Sequence, residues 1–210
     1  MNPIELFDYA GIAVFAATGA LAASRQQLDI VSFLFLGGVT AIGGGTLRDV
    51  ILDAPVFWVE EHNYLIVAGL IAVIVYFTAH LIESRYKLLL WLDAVGLAAY
   101  SVYGAWKGLE LTGSPLVAIV MGIFTATFGG ILRDLLAGEQ SVLLRPEIYV
   151  SAALTGAGVY TLAATFDVEL FVAASLGFAA ALALRGGALR FGWSIPPYRS
   201  RPGRPPEDIP

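Results

Sequence analysis

Seven apolar stretches, separated by short polar connections, divide this 210-residue chain and constrain its fold more than any other feature. They run from Ile4 to Ala23, Ile30 to Leu52, Tyr64 to Leu81, Leu88 to Trp106, Leu116 to Leu136, Ile148 to Phe166 and Val168 to Leu184. Each is long enough, or nearly so, to cross about 30 Å of hydrocarbon as a helix. A backbone in lipid must satisfy its own hydrogen bonds, so runs of this length predict an all-α integral membrane protein with seven transmembrane helices. Composition agrees, with 58% hydrophobic residues, 14% charged residues and a mean hydropathy of +0.76. The boundary between the last two runs, around Asp167 and Glu169, is tight, so six spans plus a surface helix is the alternative.

Basic residues choose between these arrangements, because Lys and Arg are retained on the cytoplasmic side of short loops. Seven spans put Arg25, Arg85, Lys87, Arg145, Arg185, Arg190, Arg199, Arg201 and Arg204 on one side and only Lys107 on the other, beside the acidic group Asp53, Glu60 and Glu61. The N-terminus is therefore expected outside and the C-terminus in the cytoplasm. Residues 193–210 are too proline-rich for helix and too polar to bury, and are expected to form a disordered basic tail. No secretory signal is recognisable at the N-terminus.

Shifting the chain against itself by 85 residues aligns Asp8 with Asp93, Gly11 with Gly96, Gly19 with Gly104, Gly37 with Gly122, Thr40 with Thr125 and Tyr64 with Tyr149. The same shift places Gly44-Gly45 on Gly129-Gly130 and Leu47-Arg48-Asp49 on Leu132-Arg133-Asp134. Residues 1–82 and 83–167 thus read as two three-helix repeats, followed by a seventh helix over 168–192. Three spans is an odd number, so the second repeat is inverted. Inverted repeats tend to hold their functional site near the bilayer centre, between broken helices.

Gly43, Gly44 and Gly45 in the second span and Gly129 and Gly130 in the fifth each weaken a helix by about 1 kcal/mol relative to alanine. A bend or break is expected there, and freed carbonyls would line a water-filled route. Arg48 and Arg133 follow closely and must face a partner or water, because a charge in lipid costs a few kcal/mol. Asp49 and Asp134 adjoin them in sequence, and cross-helix pairing with Asp8 or Asp93 is equally open. Four aspartates against two arginines leave a negative balance, which favours a cation path over an anion path.

Other chemistries find little support. The chain has no cysteine, and His62 and His80 stand apart, so neither a metal site nor another cofactor is expected. Thr40, Thr46, Thr125 and Thr127 have no basic partner at recognisable spacing, which points to bonds with helix carbonyls and away from an enzyme.

Two three-span repeats carrying GGGTLRD and GGILRD before a seventh span resemble the trimeric intracellular cation channel family, in its prokaryotic branch. The resemblance covers roughly Ile4 to Leu184. It implies a homotrimer in the plasma membrane, surrounded by membrane lipids and without nucleic-acid partners, with one pathway for potassium and sodium inside each protomer. It places pore kinks at Gly43, Gly44, Gly45, Gly129 and Gly130, with Arg48 and Arg133 beside them. One departure is Phe128, where a full second triplet would have glycine; it is expected to reduce the kink or plug the path. The alternative function is a secondary transporter of a small amino acid such as glycine, its carboxylate held by Arg48 or Arg133.

Overall fold

The computed structural model describes residues 3–82, 84–145 and 147–196, with side chains described from residue 8 onward. The expected tail over 193–210 falls almost wholly outside them. The elements are α1 (Pro3–Arg25), α2 (Ile30–Ile51), the single turn α3 (Phe57–Glu60), α4 (Asn63–Thr78), α5 (Arg85–Thr112), α6 (Pro115–Leu136), α7 (Val150–Thr165) and α8 (Leu170–Phe191). Among the described residues α2, α4 with its 3-10 extension to Leu81, α5, α6 and α8 are long and apolar enough to cross a membrane, and α7 is shorter.

The ends of these helices follow from local chemistry. Asp29 caps α2 by accepting the Ser32 N–H at 2.8 Å, and this hydrogen bond holds its carboxyl below the ordinary aspartate range. Ser114 caps α6, where Pro115 occupies the first turn at no hydrogen-bonding cost. The tight connection at Asp167 is a turn in which that residue adopts φ of 56°, and Glu169 then caps α8 through the Phe171 and Val172 N–H groups. α8 continues to Phe191, seven residues past the apolar run that ends at Leu184 and in line with the seventh helix expected over 168–192, so Arg185 lies inside a helix.

α5 is the central helix and packs on α1, α6, α7 and α8. Its contacts with α1 repeat across the 85-residue shift. A Cβ on Gly11 would strike the Tyr100 ring, and one on Gly96 would meet Phe15, while those two rings lie 5.3 Å apart. Gly19 and Gly104 approach the carbonyls of Leu36 and Met121, and Gly37 and Gly122 approach those of Ala16 and Ser101. Contacts that are exchanged between copies in this way are the signature of a two-fold relation.

Of the expected bend or break, the break is not found: neither α2 nor α6 is interrupted at its glycines, and both remain α-helical throughout. The glycines serve close approach instead. A Cβ on Gly44 would lie 2.2 Å from the Thr125 carbonyl oxygen, and one on Gly129 would lie 2.3 Å from that of Thr40. α2 and α6 therefore cross backbone to backbone, and the ladder inside each helix survives because the missing side chains are what the neighbouring helix needs. Thr40, Thr46, Thr125 and Thr127 each donate to a carbonyl four residues earlier, as expected of threonines in apolar helices.

Candidate functional site

The sequence-derived charges do not meet at the centre of the molecule. They form two clusters, each about 9 Å from the α2–α6 crossing by helical rise and on opposite sides of it. In the first, Arg48 donates through Nε to Asp49 Oδ1 at 2.8 Å, with Nη2 at 2.8 Å from the same oxygen. Lys107 reaches that oxygen as well, at 2.9 Å, and the other Asp49 oxygen accepts the Phe57 N–H at 3.0 Å. The arginine lies over the rings of Tyr103 and Phe57. Asp8 is buried beside Tyr64, Tyr100 and Tyr103, and its backbone carbonyl accepts from Tyr100 at 3.3 Å.

The second cluster repeats this scheme on α6. Arg133 Nε donates to Asp134 Oδ1 at 3.0 Å, and Asp134 Oδ2 accepts the Val142 N–H at 2.9 Å, the counterpart of Phe57. The chain leaves both helices by equivalent routes, with positive φ at Asp53 and at Gly138, its counterpart 85 residues on. Here Arg133 also donates through Nη1 to Asp93 at 2.7 Å, so one guanidinium bridges two carboxylates. Both modes left open by the sequence thus occur together: each arginine holds its sequence neighbour, and Arg133 adds the cross-helix partner. The long side chains wrap back to adjacent carboxylates although neighbouring residues point about 100° apart on a helix.

The clusters are nearly sealed. Arg48, Asp49, Asp93 and Arg133 are all 1% exposed or less, and Lys107, at 20%, is the most open group of the first cluster's charges. Asp8 and Asp93, at equivalent positions, are both buried, the first among the Tyr64, Tyr100 and Tyr103 hydroxyls and the second against Arg133. Gly45 abuts the Phe57 ring, whereas Gly130 admits the Tyr149 hydroxyl, Asp93 and Arg133 around the point where a Cβ would sit. Gly43 faces Leu132 across the crossing, and Phe128 is only half-buried. Outside the membrane core, the Tyr9 hydroxyl donates to Glu61 at 2.6 Å and holds that carboxyl below the ordinary glutamate range.

Sequence reasoning missed three members of these networks, two of them charged. Lys107 and Arg185 were counted as topology-setting charges, yet Lys107 pairs with Asp49, and the fully buried Arg185 pairs with Glu147 at 2.9 Å and donates to the Ile148 carbonyl at 3.0 Å. A hydropathy run reports where lipid ends, not whether a charge beyond it turns inward. The alignment of Tyr64 with Tyr149 was the available signal for the third group, the ring against which each cluster rests.

Comparison with known proteins gives a consistent result. A family model described as glycine transporter matches residues 5–80 and 90–165, reproducing the 85-residue repeat. The chain is 40% identical to the inner membrane protein YadS of Escherichia coli over 197 residues, covering 91% of this chain and 94% of that one. A solved trimeric intracellular cation channel orthologue from Rhodobacter sphaeroides is 48% identical, with a TM-score of 0.89 over 92% of this chain and all of that one. A second solved cation channel of the same kind is 30% identical, with a TM-score of 0.84 over 95% of this chain and 98% of that one.

Proposed function

Because this chain belongs to the trimeric intracellular cation channel family, in its prokaryotic branch, we propose that it conducts monovalent cations, potassium and sodium, through a pathway inside each protomer of an inner-membrane homotrimer. Two three-helix repeats, 1–82 and 83–167, form the path, and α8 closes the protomer. The observation that carries this reading is the pair of buried carboxylates, Asp8 and Asp93, at repeat-equivalent positions. A carboxylate in the interior is costly unless donors or a cation compensate it, and a cation crossing the molecule meets one near each end.

The pathway rests closed in this arrangement. Lys107 and Arg48 together occupy Asp49 at one end, and Arg133 occupies Asp93 and Asp134 at the other. Opening requires these cations to move off their carboxylates, and a charge that moves within the membrane is coupled to the transmembrane potential by about 2.3 kcal/mol per 100 mV for a full crossing. The short chain of contacts at the α2–α6 crossing then sets the narrowest point, where Thr40 and Thr125 carbonyls face the opposing glycines. Selectivity between potassium and sodium should be modest, since the sequence carries no potassium-filter motif.

A second reading, secondary transport of a small amino acid, is favoured by the description of the matching family model. The reversal potential of the purified protein in a planar bilayer under a potassium chloride gradient, with and without glycine, separates the two. A reversal near the potassium equilibrium potential that glycine does not shift supports the channel. Absence of unitary current together with saturable glycine uptake into proteoliposomes overturns it.

A further inference from the structure

The repeat symmetry that relates the two clusters fails at Lys107, which joins only the first, at Arg133, which alone adds a cross-helix carboxylate, and around the tyrosine against which each cluster rests. In the first repeat, Tyr64 is stacked at 4.4 Å on Tyr9, whose hydroxyl donates to Glu61. In the second repeat the counterpart of Tyr9 is Ala94, so the equivalent Tyr149 has no ring at that position. The guanidinium of Arg185 lies over its ring at 5.2 Å, and Glu147 is paired to that arginine at 2.9 Å. Glu61 and Glu147 thus flank equivalent tyrosines, but an uncharged phenol links the first pair and a permanent cation links the second. Arg185 belongs to α8, which lies outside the repeat, so no counterpart exists at the other end.

Tyr149 also places Arg185 next to the pathway. Its hydroxyl, an Asp93 carboxylate oxygen and an Arg133 nitrogen lie 2.6, 3.4 and 3.6 Å from a single point, the position a Cβ would take on Gly130. Arg185, which lies over the ring, in turn lines a cavity of about 460 Å³ together with Arg145, Glu147, Gly192, Trp193 and their neighbours. The Tyr149 ring and the Arg185 guanidinium over it therefore stand between the buried Asp93–Arg133 pair and this vestibule, whose charged lining is Arg145, Glu147 and Arg185. The vestibule wall is built by the chain that leaves α8: Gly192, at φ of 71°, turns it back, Trp193 packs on Gly187, and Ser194 forms an antiparallel bridge with Glu147.

We infer that Arg185 and Glu147 form a charge filter at this mouth, which lets α8 determine how readily cations enter from the vestibule side. This rests on the channel reading of the preceding section. A unit charge about 7 Å from an entering ion, in a largely aqueous environment, changes its local concentration about threefold. Arg185 disfavours cation entry by that factor and Glu147 favours it, so their ratio sets rectification and not the identity of the permeant ion.

The test is the single-channel current–voltage relation in symmetric potassium chloride for the wild type, Glu147→Gln and Arg185→Gln, each purified as the full-length protein. Glu147→Gln, at a part-exposed position, should reduce current entering from the vestibule side about threefold relative to the opposite direction. Arg185→Gln should raise it by a similar factor. Because the two shifts have opposite signs, they are readable whichever way the channel inserts, once the vestibule side is marked by a biotin on the C-terminus and streptavidin addition. A conducting wild type whose rectification is unmoved by Glu147→Gln, or moved the same way by both substitutions, overturns this inference and leaves the channel reading intact. If Arg185→Gln does not fold, the Glu147→Gln result and its dependence on ionic strength decide alone: the shift must shrink between 0.1 M and 1 M salt, and a salt-independent change overturns the filter. A wild type that passes no current overturns the channel reading and this inference with it.

Discussion

Arg48 and Arg133 occupy equivalent places in the repeat but neutralise different loads. Removing Arg133 leaves Asp93 and Asp134 both buried without their cation, whereas removing Arg48 leaves Asp49 with Lys107 and the Phe57 N–H. Arg133→Gln should therefore destabilise the protein by about 3–5 kcal/mol, as expected when one partner of a buried ion pair is lost. Arg48→Gln should cost about 2 kcal/mol, the value of charge-assisted hydrogen bonds that are partly replaced. Thermal unfolding of the two variants in detergent checks the order; equal losses would mean that Lys107 does not hold Asp49. Glu61 gives a prediction in pH. Its carboxyl is depressed by the Tyr9 hydroxyl, so the link between α1 and the α3–α4 connection is present above the unfolded-state value and is lost as pH falls through the lower folded value. Fluorescence of Trp58, whose indole N–H donates to Thr46 nearby at 2.9 Å, should remain unchanged as pH falls past the ordinary glutamate range and shift only below it. In the Tyr9→Phe variant the shift should move up toward the ordinary value.

At the scale of the helix, glycine means different things at different positions. The apolar runs made the long helices legible, and the shared Gly-Gly-x-Leu-Arg-Asp made the equivalence of α2 and α6 legible. Propensity alone then pointed to a break, because a glycine in isolation weakens a helix. What sequence does not carry is the neighbour: Gly44 and Gly129 are occupied by the opposing helix, so their cost is offset by backbone packing, and the hydrogen-bond ladder stays whole. Gly44→Ala should accordingly lower stability by about 1–3 kcal/mol through overpacking against the Thr125 carbonyl. Gly38→Ala, on the same helix with nothing within 4 Å of the added Cβ, should raise it by up to about 1 kcal/mol. The pair is measured by unfolding in the same detergent, and a gain for Gly44→Ala would show that the crossing is loose. The span ends were less legible than the spans. α5 begins at Arg85 and ends at Thr112, well outside the apolar run from Leu88 to Trp106, because Ser84 caps its start and Gly113 its end. Those extra turns bring Lys107 back over Asp49.

For the molecule as a whole, the burial of Arg185 and the pairing of Lys107 remove two charges from the count that set the orientation, and the count still holds. Arg25, Arg85 and Arg145 remain around the connections at one end, with Arg25 paired to Glu139 at 2.8 Å and both Arg25 and Arg145 gathered on Tyr86. Asp53, Glu60 and Glu61 stand at the other end. Three long helices, α4, α5 and α6, separate residue 60 from residue 140, so these two positions must lie on opposite sides of the membrane if each helix crosses once. The chain has no cysteine, which makes single introduced thiols clean reporters. In intact bacterial cells a membrane-impermeant maleimide should label Glu60→Cys directly and Gln140→Cys only after permeabilisation. The reverse pattern would invert the orientation but preserve the inverted repeat. Labelling of both from one side would be incompatible with an odd number of crossings per repeat, and with it the opposed clusters could not serve as the two ends of one transmembrane path.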